Sequence, residues 1–435
     1  MSINIIGAGL SGCEAAWKVA SMGINARLFE MKPKKKSAAH KCNNFAELVC
    51  SNSLKAERLE SAAGLLKEEM RHLDSLLLFC ADKCRVPAGG AIAVDRDKFS
   101  ELVTEKIKSN PLIEVIETEK LEVPEDGITI VATGPLTSKS LAQDIEKICN
   151  GLLSFYDAAA PIITSESIDM DTAFTASRYN RGEDSDYINC PLNKEEYEKF
   201  YEALVLAQRA PMHDFDVRDP KVYEGCMPVE IMAQRGKDTL RFGPMKPVGL
   251  IDPKTGHRPW ANLQLRCENV EKTLYNMVGF QTNLKFSEQK RVFGLIPALK
   301  NAEFVRFGVM HRNTFLNSPT VLNSDLSLKT NEKLFFAGQI TGVEGYMESA
   351  ASGIIAGINA VKKLANQKPL ILPNETMIGA LINYVTTSIS KNFQPMGANF
   401  GILPQIEPHI RDKKLRYEAF AKRSIKILDE RSGQV

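Results

Sequence analysis

The stretch Ile3-Asn4-Ile5-Ile6-Gly7-Ala8-Gly9-Leu10-Ser11-Gly12-Cys13-Glu14-Ala15-Ala16-Trp17-Lys18-Val19-Ala20 decides the fold. A short apolar strand enters a glycine-rich turn, and the turn opens a helix. A second apolar strand, Ala26 to Glu30, ends in an acid. Strand, turn, helix and strand within so few residues form a βαβ unit, which argues for a parallel sheet. The glycines have separate tasks. Gly7 permits the tight turn, Gly9 lets a pyrophosphate approach the backbone, and Gly12 lets the helix pack closely on the strand. The helix N-terminus, from Leu10 and Ser11, offers unpaired N–H groups and partial positive charge to phosphates. Ala8 lies between the first two glycines, and Glu30 is placed to accept hydrogen bonds from an adenosine ribose. A GxGxxG alone is weak. Here it follows a strand, opens a helix and has its acid at the end of the next strand, which is the context the motif requires.

The same rhythm extends along the N-terminal third. Leu59 to Leu78 has helical spacing, Asp97 to Ser109 reads as another helix, and Ile128 to Ala132 as a buried strand. From 151 to 325 the character changes to polar loops and short strands, with helices expected at about 193–209 and 268–283. The βαβ rhythm returns at Leu334-Phe335-Phe336-Ala337-Gly338, followed by a small-residue helix from Ser349 to Leu364. The expected organisation is a dinucleotide-binding domain built from 1–150 and 326–435, with a C-terminal helical segment, and an inserted substrate domain over 151–325. The strand ending at Gly338 with its helix resembles the second FAD contact of glutathione-reductase-like flavoproteins. The turn at Val131-Ala132-Thr133-Gly134 resembles another element of that fold. The expected fold class is therefore α/β, a glutathione-reductase-like FAD-binding Rossmann domain with an inserted α+β domain.

Composition excludes several classes. The chain has 435 residues, too many for one ordinary core at roughly 100 to 200 residues per domain. Lys plus Arg is 55 against 53 for Asp plus Glu, so a strongly basic nucleic-acid coat is excluded but a local basic patch is not. No run of about 18 apolar residues offers a membrane span. The nine cysteines are odd in number and irregularly spaced, unlike a secreted disulfide framework, and the chain reads as cytoplasmic. No metal site is expected: Cys80 and Cys84 have no second pair at zinc-like spacing.

Two thiols have unusual surroundings. Cys50 ends an apolar stretch entering the polar turn Ser51-Asn52-Ser53, and Cys226 lies in the Gly/Pro-flanked loop Gly225-Cys226-Met227-Pro228. By residue type alone, either is a small buried hydrophobe more often than a nucleophile.

The segments Gly7–Trp17, Phe45–Lys55, Gly64–Leu76, Arg85–Ser100, Tyr223–Glu230, Asp238–Leu250, Asn301–Pro319, Leu334–Gly353 and Ala398–Pro404 span the chain. Together they resemble the folate- and FAD-dependent RNA uracil-5-methyltransferases, the TrmFO family. The resemblance implies that reduced FAD takes a methylene group from 5,10-methylenetetrahydrofolate. A thiolate adds to C6 of a target uracil, C5 attacks the methylene, and flavin hydride completes the methyl group. NADPH or NADH then resets the flavin. It implies Cys226 as the uracil nucleophile, Cys50 as a second essential thiol handling a proton near C5, and Tyr346 as an aromatic stacking in the flavin and folate pocket. The implied partner is tRNA at the uridine of the TΨC loop, with a ribosomal-RNA-modifying relative as the alternative and no obligate protein partner. A small-molecule flavin oxidoreductase would be favoured by a CxxC beside the flavin motifs, which is absent.

A thiol needs a lowered pKa or a neighbouring base to attack C6. Arg235, Lys237, Arg241 and Lys246 are the cations nearest Cys226 in sequence. Basic residues from Lys285 to Arg312, and eight between Arg411 and Arg431, are candidates for RNA phosphates. Gly294, Asn283 and Gly397 depart from residues common in the family, which puts details of RNA or folate contact in question.

Overall fold

The computed structural model describes residues 2–37, 39–149, 151, 153–158, 160–180, 187–210, 227–269, 272–388, 393–408 and 410–431. Its main sheet has six strands in the order Ser327–Leu328, Asn331–Phe336, Ile128–Val131, Ser2–Ile6, Asn25–Glu30 and Ile113–Glu117. All neighbours run parallel except the first pair. The strand Ile128–Val131 is buried at every position, as a parallel sheet covered on both faces requires. The motif sits at the centre of this sheet, where Ser2–Ile6 lies between Ile128–Val131 and Asn25–Glu30.

Two helices cross one another's surfaces at unusually short range. A Cβ on Gly353 would fall 2.2 Å from the Ser11 carbonyl oxygen, and one on Gly357 would fall 3.0 Å from that of Ala15. The helices Leu10–Ser21 and Tyr346–Leu364 therefore run parallel, with their N-termini at the same edge of the sheet. Every residue from Met347 to Val361 is buried, so this late helix is enclosed all round, and the polar residues within it, such as Glu348, Ser352 and Asn359, are hydrogen-bonded.

The helical spacing from Leu59 to Leu78 resolves into two helices, Ala62–His72 and Leu76–Lys83. The break falls at Asp74, whose φ is 55°. The second helix starts there because the buried Glu14 carboxylate accepts from Leu76 N at 3.1 Å, Leu77 N at 3.0 Å and the Ser75 hydroxyl.

A second sheet has the order Phe174–Thr175, Tyr187–Leu192, Ala261–Cys267, Leu274–Met277, Ile162–Thr164 and Phe304–Arg306, antiparallel throughout. It has its own core, centred on Tyr197, Phe200, Leu263, Phe280 and Phe293. The helix expected over 268–283 is absent. Glu268 and Asn269 instead begin a turn, with the Asn269 side chain accepting from Thr273 N at 3.0 Å, and Leu274–Met277 returns as a strand. The spacing of Val270, Leu274 and Val278 imitates a helical face, but Leu274 to Met277 pairs with Ala261–Cys267. A separate ribbon pairs Leu153–Ala158 with Met310–Phe315. The last helix, Lys413–Arg431, packs through Phe420, Ala421, Ser424 and Leu428. Among the described residues, no helix is long and apolar enough to cross a membrane.

Candidate functional site

The glycine turn forms one wall of a cleft of roughly 660 Å³, including space open to solvent, whose lining includes Gly7, Gly9, Glu30, Lys32, Ala132 and Thr133. Gly7 has φ 100°, and a Cβ there would meet the Ala132 carbonyl oxygen at 2.8 Å. On Gly12 it would lie 1.8 Å from the Gly7 oxygen. Gly9, which caps the helix, differs: nothing lies within 4 Å of its missing Cβ. Ser11 is buried and its hydroxyl has no hydrogen-bond partner. Gly338, φ 84°, packs against that side chain, where its own Cβ would fall 3.3 Å from Ser11 Oγ. Its N–H donates to Ser352 Oγ at 2.7 Å. Open space at Gly9, an orphaned hydroxyl and the free N–H groups of Leu10 and its neighbours fit a pyrophosphate. Glu30 Oε2 accepts from Ala8 N at 2.7 Å and Oε1 from Lys32 N at 2.9 Å. Both oxygens retain a lone pair, so the oriented carboxylate can still accept from ribose hydroxyls.

The Cys50 turn stands beside the first turn of the late helix. Tyr346 Oη accepts from Cys50 N at 2.7 Å and Ser51 N at 3.1 Å. Burial, reinforced by the neighbouring Cys50, raises the phenol well above its ordinary pKa and keeps its proton in place. Two residues further into the helix, buried Glu348 accepts from Lys55 Nζ at 2.7 Å and Ala398 N at 3.1 Å.

The opposite side of the turn is held by arginines. Arg96 donates to the carbonyls of Leu48 at 2.7 Å and Cys50 at 3.3 Å. It also forms a two-point pair with Glu268, at 2.5 and 3.1 Å. Arg266 donates to Ser51 Oγ at 2.6 Å and Asn52 Oδ1 at 2.9 Å, and Arg306 donates to the Val49 carbonyl. Burial lowers the pKa of Arg266 and of Arg306, and the Arg96 charge adds to the effect at Arg306. Residues 48–52 thus lie between the second sheet and the late helix, surrounded by three guanidinium groups. Among the described residues, Glu268 is the carboxylate paired directly with them.

Sequence reasoning missed Arg96, Arg266, Glu268 and Glu348, and took Arg306, within Lys285 to Arg312, only as a candidate for RNA phosphates. Arginines and glutamates at irregular spacing carry no local signal. Cys226 lies outside the described residues, as does the His311 side chain. Two of the four cations expected to serve Cys226 have partners of their own. Lys237 pairs with Glu198 at 2.9 Å, while Arg241 pairs with Asp238 at 2.7 Å and lies 3.7 Å over the Trp260 ring. Cys80 and Cys84 are buried, and burial pushes the Cys80 thiol up to about 12.

The family model for glucose inhibited division protein A matches residues 2–368. A protein of Acetivibrio thermocellus named methylenetetrahydrofolate–tRNA-(uracil-5-)-methyltransferase TrmFO is 61% identical over 429 residues, covering 98% of each chain. The chain belongs to the TrmFO family. A protein of the same name from Enterococcus faecalis is 57% identical over 427 residues, covering 98% of this chain and 97% of its own. The form II crystal structure of Aquifex aeolicus GidA superposes with a TM-score of 0.71 over 99% of this chain and 73% of that one. At 16% identity the likeness is one of fold, a Rossmann-type α/β architecture.

Proposed function

We propose that this member of the TrmFO family moves a one-carbon group from 5,10-methylenetetrahydrofolate to C5 of a uridine in the TΨC loop of tRNA. The product is 5-methyluridine. FAD is its bound cofactor and NADPH or NADH its reductant. The observation that carries this reading is the suspension of the Cys50 turn from Tyr346 Oη, at the N-terminal end of the helix that packs on the dinucleotide motif. The Cys50 turn thereby lies between that helix and the arginines of the second sheet.

Gly7, Ala8, Gly9, Leu10, Ser11 and Gly12 hold the pyrophosphate in this reading, Glu30 the ribose, and Gly338 and Tyr346 the flavin end. Bound FAD would supply the electrons that reduce the transferred carbon to a methyl group. The Cys226 thiolate adds to uracil C6, and the electron pair of the C5–C6 double bond moves to C5. C5 then bonds to the donated carbon, Cys50 takes the C5 proton, and the electron pair left at C5 expels the carrier nitrogen from that carbon to give an exocyclic methylene. When the methylene takes the hydride that bound reduced FAD would supply, it becomes the methyl group, the C5–C6 double bond re-forms and the Cys226 thiolate leaves. A covalent intermediate divides one hard step into two easier ones. The uridine must leave its stack to reach this site. The region around the second sheet, 151–325, is the RNA and substrate lobe, with 1–150 and 326–435 as the FAD lobe. A tRNA substrate places the work in the cytoplasm.

The test supplies purified protein, NADPH and methylene-labelled folate with tRNA transcript or, in parallel, 23S rRNA, and looks for labelled 5-methyluridine in each. Cys226→Ala is expected to abolish labelling while retaining flavin, and RNA containing 5-fluorouracil to trap an adduct on Cys226. Methylation from S-adenosylmethionine alone, an adduct on another residue, or label entering 23S rRNA and not tRNA overturns the corresponding part of the reading.

A further inference from the structure

The second sheet carries an aromatic stack that its core does not need. Phe286 and Phe307 lie with ring centroids 4.5 Å apart at 15°, and Phe307 and Phe304 lie 5.2 Å apart at 7°. Phe304 rests on Phe293, which rests on Phe280, and these two are fully buried. The stack therefore rises from the core and ends in Phe286, which is 53% exposed.

The end of the stack is pre-organised. Buried Gln289 donates to the carbonyls of Leu284 at 2.7 Å and Gly308 at 2.8 Å, and accepts from Gly308 N at 2.8 Å. These bonds lock the helix Phe286–Phe293 to the segment bearing Phe304 and Phe307. The charges around it are mostly positive. Lys285 and Lys290 are exposed, with Lys290 Nζ 5.7 Å from the Phe307 centroid. The acid on this helix, Glu288, is engaged by Arg291 at 2.6 Å and by Gln208 N at 3.2 Å.

Its position is also informative. Arg306, next to Phe307, reaches the Val49 carbonyl just before Cys50. The described residues flanking the stretch that contains Cys226 bond to the segment just before Phe286. Ala210 N donates to the Asn283 carbonyl and Val229 N to that of Gln281, each at 2.7 Å, and Lys285 N donates to Gln208 O at 3.0 Å.

We propose that Phe286, backed by Phe307 and Phe304, is a stacking platform for an unpaired base of the RNA substrate, with Lys285 and Lys290 meeting the adjoining phosphates. This rests on the RNA reading above. A flat, rigid, half-exposed ring flanked by cations matches the two requirements of single-stranded RNA, a π-face for the base and positive charge for the backbone.

The test uses the full-length, FAD-loaded chain and a tRNA transcript. Phe286→Ala and Phe286→Leu are each expected to raise the tRNA Kd about 5- to 150-fold, the usual size of one base–aromatic stack. Phe286→Trp is expected to bind like the wild type, and flavin content to be unchanged in all three. Lys290→Ala is expected to reduce the salt slope of binding by about one unit. Wild-type affinity in Phe286→Leu overturns the platform, because a leucine supplies apolar surface without a π-face. A change in self-association of Phe286→Ala with unchanged tRNA affinity also overturns it and makes the face a contact between copies. A wild-type chain that methylates tRNA while Phe286→Leu binds normally refutes the platform alone. A wild-type chain that neither binds nor methylates tRNA refutes the functional reading with it.

Discussion

Gly9→Asp separates a glycine required by a ligand from one required by the fold. Gly9 caps the helix Leu10–Ser21 with φ −76° and ψ −170°, extended backbone open to any residue, and its Cβ would point into empty space. The helix has no side-chain cap, which an aspartate would provide. Replacing glycine by aspartate at this position adds a few tenths of a kcal/mol as a cap and about 0.3–1 kcal/mol from the helix dipole. The flavin-free variant is therefore expected to melt at or slightly above the flavin-free wild type. FAD binding moves the other way. A carboxylate about 4 Å from one phosphate charge, at an effective dielectric of about 20, is repelled by about 4 kcal/mol, or roughly a thousandfold in Kd. Gly12→Ala is the contrasting variant. Its Cβ would sit 1.8 Å from the Gly7 oxygen, so the helix must shift. The gain of about 1 kcal/mol in helix propensity does not offset an overlap with backbone. The assay is circular-dichroism melting of flavin-stripped protein, followed by FAD titration read by fluorescence quenching. Normal FAD affinity in Gly9→Asp would refute the placement of the pyrophosphate. A large fall in its flavin-free melting temperature would show that Gly9 serves the fold.

Two further outcomes follow from buried charges. Arg96→Ala leaves Glu268 buried without its partner and is expected to cost about 3–5 kcal/mol in urea unfolding. Arg96→Met with Glu268→Leu should recover most of that stability but not single-turnover methylation, because the Leu48 and Cys50 carbonyls still lack their donor; wild-type turnover in the double variant would end the positioning role of Arg96. Glu69 accepts from Met377 N at 2.6 Å and Ile378 N at 2.8 Å, and burial raises its pKa to about 7 from an ordinary 4.5. A folded-state pKa above the unfolded one gives a contribution fully present below about pH 4.5 and lost as pH rises through about 7, at up to about 1.4 kcal/mol per pH unit. Stability of Glu69→Gln should therefore fall less steeply than wild type across that window, and parallel curves would contradict the assignment.

The geometry of the glycine turn was legible because its demands are local. Gly7 must adopt positive φ, Gly12 must admit the Gly7 carbonyl, and Gly353 and Gly357 must admit a neighbouring helix backbone. Side-chain size alone decides each of these, and glycine spacing records it in the chain. The alternation of strand and helix around it was legible for the same reason, since hydrophobic periodicity is read over a few residues. The misread elements were decided from a distance. The helix break at Asp74 depends on Glu14, about 60 residues earlier, whose carboxylate caps the second helix. The strand Leu274–Met277 depends on its partner Ala261–Cys267, because cross-strand pairing outweighs a short run's own periodicity.

The setting of Cys50 belongs to the tertiary structure in the same sense. Residue type and flanking turn made it a candidate thiol, but could not choose between a nucleophile and a buried hydrophobe. Arg96, Arg266 and Arg306 converge on residues 48–52 from three separate segments, and Tyr346 arrives from almost 300 residues away. An arginine in sequence is by default a solvated surface residue. Only folding removes water from these three, and the hydrogen bonds they make to this turn are what replace it.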